Sequence, residues 1–209
     1  MGNEVKKCAV ITGAPENDIN YYHSYLIDRY IISADSGFEK CVNIGIKPDL
    51  IIGDFDSSAK PDTDIETITL PVMKDDTDTF FAVKEAVKRG YNDIIILGGI
   101  GSRVDHTYSN ILSLNYCNDL RVSAMLVNRS NRIRILNSSC VIKKDGYNYL
   151  SLFALFEECK GLTTKGTLYN LTDYNLSPQC QLCQSNSFVN DEIEISFDCG
   201  KILLVESND

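Results

Sequence analysis

Asp54 and Asp56 stand one residue apart at the end of a short apolar run, Lys47-Pro48-Asp49-Leu50-Ile51-Ile52-Gly53-Asp54-Phe55-Asp56-Ser57. Side chains of an extended chain alternate in direction, so the two carboxylates are expected on one face and Phe55 on the other. Like charges that close repel unless a cation lies between them. A hard ion such as Mg²⁺ is usually held by one or two carboxylates plus substrate phosphates, so the pair points to phosphate chemistry. The same residues also read as a strand ending in an Asp-rich turn.

Two further stretches bear on the choice. In Lys74-Asp75-Asp76-Thr77-Asp78, Asp75 or Asp76 suits the cap of a following helix, and Asp78 suits its first turn at the positive end of the helix dipole. Capping accounts for one or two of these acids. Asp78 is then placed to join Asp54 and Asp56 around one metal, with Lys74 compensating charge or touching a phosphate. Gly98-Gly99-Ile100-Gly101-Ser102-Arg103-Val104-Asp105-His106 is a glycine-rich turn between a strand and a helix, whose backbone N–H groups form an anion cradle. Its spacing is neither that of the Lys-containing P-loop nor a clean dinucleotide fingerprint. Arg103 adds a bidentate phosphate donor. His106 reads as a hydrogen-bonded histidine at a helix start, and Asn110 one turn on as a solvated polar position.

Alternating elements must carry these groups. Apolar runs at residues 8–11, 30–34, 50–53 and 93–97 fit buried parallel strands, with weaker strands at 65–70 and 121–128. Between them, helices are expected over 18–29, 38–43, 77–89 and 104–117. Phe80, Val83 and Val87 form the inward face of the third, and Val104, Tyr108, Ile111 and Leu112 that of the fourth. Alternation of this kind gives a mostly parallel sheet with helices on both faces. Ligands of such sheets bind outside the carboxyl ends of the strands, so Asp35, Asp54, Asp56 and the Gly98 turn are expected to face one crevice.

After about Asn128 the pattern changes to short strand-like runs at 132–136, 140–143, 149–156, 192–197 and 201–205, separated by Gly-containing turns. This half reads as an antiparallel β-sandwich. The expected division is 1–129 for the α/β domain and 130–209 for the sandwich. Ser185, Asn186 and Phe188 read locally as a turn before a strand, with Phe188 as core.

Composition limits the partners. The 209 residues carry a net charge of −9, which offers no basic field for nucleic acid or an anionic membrane surface. No secretory leader or membrane-length apolar run is visible, and a cytoplasmic protein is expected. The eight cysteines sit mostly in apolar contexts. Cys180 and Cys183 form the only close pair, without a second pair or a histidine cluster to complete a zinc site.

Taken together, Ala34-Asp35-Ser36-Gly37, Pro48-Asp49 through Ser57, Lys74 to Asp78, and Gly98 to His106 with Asn110 resemble the thiamine pyrophosphokinase family. That resemblance covers most of the first half in the family's order. It implies an α/β nucleotide domain followed by a β-sandwich. It further implies transfer of a pyrophosphoryl group from ATP to the hydroxyl of thiamine, and a homodimer with thiamine held where one subunit's α/β domain meets the other's sandwich. Carried over by position, Asp54, Asp56 and Asp78 hold Mg²⁺ and, with Arg103, perform the reaction. Asp35, Lys74, Asp75, Thr77, Gly99, Gly101, Ser102, Asp105, His106 and Asn110 contact the nucleotide, while Ser185 and Asn186 reach thiamine. Ser36 and Ser102 stand where the family usually has glycine, and the chain lacks tryptophan, which leaves Phe188 as the aromatic for thiamine.

Two other readings share the Asp-x-Asp motif or the fold. A phosphohydrolase of the haloacid-dehalogenase type also places Asp-x-Asp after a strand, usually the first, whereas here it follows the third. A non-catalytic nucleotide sensor would bind ATP without turning it over.

Overall fold

The computed structural model describes residues 4–56 and 60–209; Ser57, the last residue of the acidic stretch, lies outside them. Two compact units are present, Met1–Arg129 and Ser130–Asp209.

In the first unit the strands are β1 (Lys7–Ile11), β2 (Tyr30–Ala34), β3 (Leu50–Gly53), β4 (Glu66–Thr69), β5 (Asp93–Leu97) and β6 (Ser123–Val127), and the helices are α1 (Tyr22–Leu26), α2 (Gly37–Asn43), α3 (Asp78–Lys88) and α4 (Val104–Asp119). The strands run in the order β6-β5-β1-β2-β3-β4, and every pairing among them is parallel. The nearly unbroken apolar runs of β1, β2, β3 and β5 are buried on both faces, as a covered parallel sheet requires. Ala9, Ile11, Ile31, Ile95 and Leu97 pack with Tyr22 and Leu26 of α1 and Cys41 of α2. Val10, Ile32 and Ile96 alternate to the other face, where α3 and α4 meet through the edge-on rings of Phe80 and Tyr116 at 5.2 Å.

Three expectations need correction here. The helix expected over 18–29 contracts to the single turn Tyr22–Leu26. Asp18 explains the late start, because its Oδ1 accepts the N–H of Asn20 at 3.0 Å and builds a turn instead. In α4 the inward face is Asn110, Ser113, Leu114 and Cys117, whereas Val104, Tyr108 and Leu112 are 78%, 56% and 39% exposed. In α3 the buried residues are Ala82, Val83, Glu85 and Ala86, so that Phe80 and Val87 flank the buried face. The small residues let each helix approach the sheet closely, and the larger apolar ones fall outside.

The second unit contains β7 (Asn131–Leu136), β8 (Cys140–Lys143), β9 (Tyr149–Ala154), β10 (Cys159–Lys165), β11 (Tyr174–Leu176), β12 (Asn186–Ser187), β13 (Glu192–Ser196) and β14 (Ile202–Ser207). They form two antiparallel layers, β12-β9-β14-β7 and β11-β10-β13-β8. Leu150, Leu152, Ile202 and Leu204 of the first layer pack on Ile142, Leu162, Leu176, Ile193 and Ile195 of the second. Strands β10, β11 and β12 go unforeseen in the sequence. Threonines dilute the alternation of β10, and its register against β11 shifts between Cys159 and Leu162.

Glu206 continues the inward row of Ile202 and Leu204 yet is a fully buried carboxylate. Opposite it in register is Arg132, which grips it with bonds of 2.8 and 2.7 Å, while Arg134 adds one of 2.8 Å. Arg132 also reaches Asp145 at 2.6 Å and lies over the ring of Tyr147. Deleting one member leaves buried charge unmatched. Glu206→Ala is therefore expected to lower unfolding free energy by about 3–5 kcal/mol in urea titrations, far beyond what its lost side-chain contacts explain.

Candidate active site

An open cleft of about 440 Å³ lies at the carboxyl edge of the first unit's sheet. Its walls come from the segments following β1, β2, β3 and β5 and from the first turn of α3. Strand order reverses direction between β1 and β5, so the chain leaves the sheet on opposite sides there and a crevice opens between the two turns.

Of the residues expected at the site, Asp35, Asp54, Lys74, Thr77, Asp78, Gly99, Gly101, Ser102, Arg103, His106 and Asn110 line this cleft. Asp56, Asp75 and Asp105 do not. Asp56 is exposed, because β3 ends at Gly53 and Phe55 takes a left-handed conformation (φ 53°) in place of extended backbone. The expected shared face of Asp54 and Asp56 is lost, and the Asp56 N–H instead donates to Asp54 Oδ1 at 3.3 Å. Gly53 permits this fold-back, since a β-carbon there would lie 3.3 Å from the Phe55 ring. Asp75 is exposed and Asp76 pairs with Lys84, while the cap of α3 is Thr77, whose Oγ1 accepts the Phe80 N–H at 3.1 Å.

Lys74 organises the acidic wall. Its ammonium donates to Asp54 Oδ2 and, at 2.8 Å, to Asp78 Oδ1. The two carboxylates respond oppositely. The bond from Lys74 holds Asp54 below the usual carboxylate value of 3.8. Burial, with the nearby charges of Asp54 and Asp35, lifts Asp78 above it despite Lys74. Asp35 follows β2 in a left-handed conformation (φ 50°), and its Oδ1 is buried without a hydrogen-bond partner. A buried carboxylate oxygen lacking a donor, close to two more acids, is a donor set that suits a hard divalent cation. Among the described residues no cluster of three metal-ligating side chains is pre-assembled, and Lys74 bridges two of the acids.

The opposite wall is glycine-rich. Asn110 is buried, not solvated: its Nδ2 donates to Gly99 O at 2.8 Å and fixes the turn. A side chain at Gly99 would collide with Leu126 and that amide. Arg103 is exposed, and its guanidinium makes a two-point contact with Asp105 at 3.2 and 2.5 Å, which pulls Asp105 down to about 2. His106 lines the rim. Residues 12–15, which form the third wall, were not among the groups expected at the site. The available signal is topological: β1 is the strand at which the order reverses. Ser36 is accommodated because Gly13 leaves room for its Oγ.

In the sandwich, Asn186 is buried and its amide is engaged within the fold. Oδ1 accepts the N–H groups of Tyr169 (3.0 Å) and Ser187 (2.9 Å), and Nδ2 donates to Tyr169 O at 2.8 Å. Phe188 packs against the sandwich core, whereas Tyr169 is 69% exposed. Ser185, left-handed at φ 55°, donates its N–H to Ser151 Oγ at 2.9 Å.

Comparison with known proteins gives concordant matches. Residues 23–126 match the family profile described as thiamin pyrophosphokinase, catalytic domain, and residues 139–202 match thiamin pyrophosphokinase, vitamin B1 binding domain. The chain is 26% identical to a thiamine pyrophosphokinase of Bacillus subtilis (strain 168), covering 98% of this chain and 100% of the relative. The crystal structure of the thiamine pyrophosphokinase from Bacillus subtilis superposes with a TM-score of 0.90 at 25% identity, over 98% of this chain and 100% of that one. That of the thiamin pyrophosphokinase from Geobacillus thermodenitrificans gives 0.87 at 25% identity, over 97% of each.

The electrostatics of the acidic wall carry a consequence for stability. Asp54, with its depressed pKa, stabilises the fold at pH above the carboxylate range and loses this as pH falls; Asp78, with its raised pKa, weakens the fold as pH rises through the same range. Lys74→Met removes the first effect and enlarges the second. The variant is expected to be less stable than the parent at pH 7 in urea titrations, with the deficit shrinking as pH falls below about 4. A deficit independent of pH would show that Lys74 acts through packing instead.

Proposed function

The chain belongs to the thiamine pyrophosphokinase family, and from that premise we infer that it is a thiamine diphosphokinase, transferring pyrophosphate from ATP to the hydroxyl of thiamine to give thiamine diphosphate and AMP. The observation that carries the reading is the cleft in which Asp35, Asp54 and Asp78 face the Gly99 turn, set largely within the segment that matches the family's catalytic domain.

In this reading the nucleotide's polyphosphate lies against residues 99–103, with Arg103 exchanging Asp105 for phosphate oxygens. Asp105 thereby holds the guanidinium ready, and His106, Thr77 and Asn110 complete the nucleotide wall. Asp54 and Asp78, with the unpartnered Oδ1 of Asp35, would hold Mg²⁺, which when bound neutralises charge on the phosphate oxygens, and Asp56, exposed outside the cleft, is left out of that set. Asp75, exposed outside the cleft, is left out of that wall. Lys74 is within reach of the same phosphates once its carboxylates are otherwise engaged. The thiamine hydroxyl oxygen attacks the β-phosphorus in line, the bond from that phosphorus to the α,β-bridging oxygen breaks, and AMP leaves. Asp78, on the cleft wall at the first turn of α3, is assigned as the group that takes the hydroxyl proton. Alignment of the two substrates supplies much of the rate.

Thiamine is assigned to the sandwich segment around Ser185 and Asn186. With the Asn186 amide engaged by Tyr169, its part is to present the Tyr169 ring, and Tyr169 takes the role first given to Phe188. A homodimer in the cytoplasm completes the proposal. It is supported by the exposed apolar stripe Val104, Tyr108 and Leu112 on α4 and by cysteines that are all free. No helix among the described residues is long and apolar enough to cross a membrane.

The test is product identification from Mg-ATP with and without thiamine. AMP formed only with thiamine is expected, and Asp54→Asn should lower its rate by at least about a hundredfold with the circular dichroism spectrum unchanged. Release of inorganic phosphate without an acceptor would indicate the phosphohydrolase, and ATP binding without any product the sensor. Separately, Tyr169→Ala is expected to raise KM for thiamine about tenfold and leave KM for ATP in place, as the loss of a stacking surface would. An unchanged KM for thiamine would return the role to Phe188.

A further inference from the structure

Beneath the third wall of the cleft lies a buried cation that the mechanism does not use. Lys40 of α2 is only 9% exposed. Its ammonium donates to the carbonyl of Ala14 and, at 3.5 Å, to the phenol of Tyr22. The Tyr22 hydroxyl in turn donates to Glu16 Oε2, while Tyr21 donates to Glu16 Oε1 at 2.6 Å and the Arg129 N–H reaches the same oxygen at 3.3 Å. No carboxylate touches Lys40 directly in these bonds; Glu16 is one phenol away.

The arrangement is costly, and the surroundings are shaped to keep it. Burial pushes Lys40 below its usual basicity, with Glu16 as the largest opposing influence. Gly98 is left-handed at φ 69°, and a β-carbon there would lie 2.5 Å from the Lys40 ammonium. Thr12 Oγ1 donates to the Gly98 carbonyl, so the turn after β5 and the segment after β1 are joined directly above the ammonium. A β-carbon at Gly101 would meet Ala14 at 3.0 Å, which shows how closely the two walls approach.

Ala14 precedes Pro15, so the peptide carrying this carbonyl has no N–H of its own. Turned toward the cleft, it would oppose a polyphosphate with bare oxygen. Resting on the proposed ATP-dependent function, we propose that Lys40 is a positioning residue for the nucleotide: by drawing the Ala14 carbonyl inward, it fixes residues 12–15 as a wall that accepts the anionic end of ATP. The Tyr22–Glu16 pair sets the height of the ammonium under that wall.

Lys40→Met keeps the length and apolar stem and removes the charge and its donors. Expected is a rise of about tenfold in KM for ATP, with kcat changed less than about twofold and KM for thiamine unchanged. Direct titration with a fluorescent ATP analogue should show the same loss in Kd. That titration needs no turnover, so it separates failure of this assignment from failure of the assigned reaction. A folded Lys40→Met protein with unaltered nucleotide affinity, or one losing kcat alone, overturns the proposal. Should Lys40→Met not fold, Tyr22→Phe decides. It keeps the Lys40–Ala14 bond and the ring and removes only the hydroxyl that links Lys40 to Glu16, and a two- to threefold weakening of nucleotide binding is expected. No change in that folded variant overturns the proposal equally.

Discussion

One shared cation dominates the charge balance of this molecule's cleft. A parallel sheet sends the ends of several strands to the same edge, and in this chain those ends carry Asp35 and Asp54, with Asp78 arriving from the first turn of α3. Three carboxylates gathered in a partly buried space repel one another, and Asp78 is raised in pKa in part by the charges of Asp54 and Asp35. Lys74, four residues before Asp78 and bonded to it and to Asp54, turns that repulsion into a local attraction. The wall is thus held together by an ion pair network that a divalent ion and a polyphosphate are chemically able to replace.

Left-handed backbone is found at the same edge. Asp35 and Phe55 both adopt left-handed conformations, which non-glycine residues rarely accept, and each lies one or two residues beyond the end of a strand. The compensation is visible in the rigid parts they adjoin. The Asp35 N–H is fixed to the Ile52 carbonyl at 2.7 Å, and Phe55 covers the bare backbone of Gly53. The strands behind them, buried on both faces, supply the apolar burial that keeps such positions in place.

Much of this was legible in the chain. Doubly buried strands announce themselves as runs of isoleucine, and acids or glycines directly after them have only one edge of the sheet to occupy. What sequence periodicity could not resolve was the choice between apolar residues for the inside of a helix. Val104, Tyr108 and Leu112 make a better apolar stripe than Asn110, Ser113, Leu114 and Cys117, yet the second set is buried. Close approach to the sheet selects small side chains there, and Asn110 is drawn in because the Gly99 carbonyl needs its amide. The same limit applies at Asp56. Alternation predicts its direction only while the chain stays extended, and a single left-handed residue ends that validity.

The sandwich shows the complementary failure. Asn186 read locally as part of a turn, and only the family resemblance turned it toward a ligand, but its amide oxygen and nitrogen are engaged with the backbone of Tyr169 and Ser187. A buried amide with its polar atoms satisfied inside the fold contributes shape, and the chemistry it offers a ligand is that of whatever it positions. The exposed ring of Tyr169 is therefore the informative group in that segment. Identity of a side chain at a matching position does not by itself transfer a contact; the hydrogen bonds already made decide which atoms remain available.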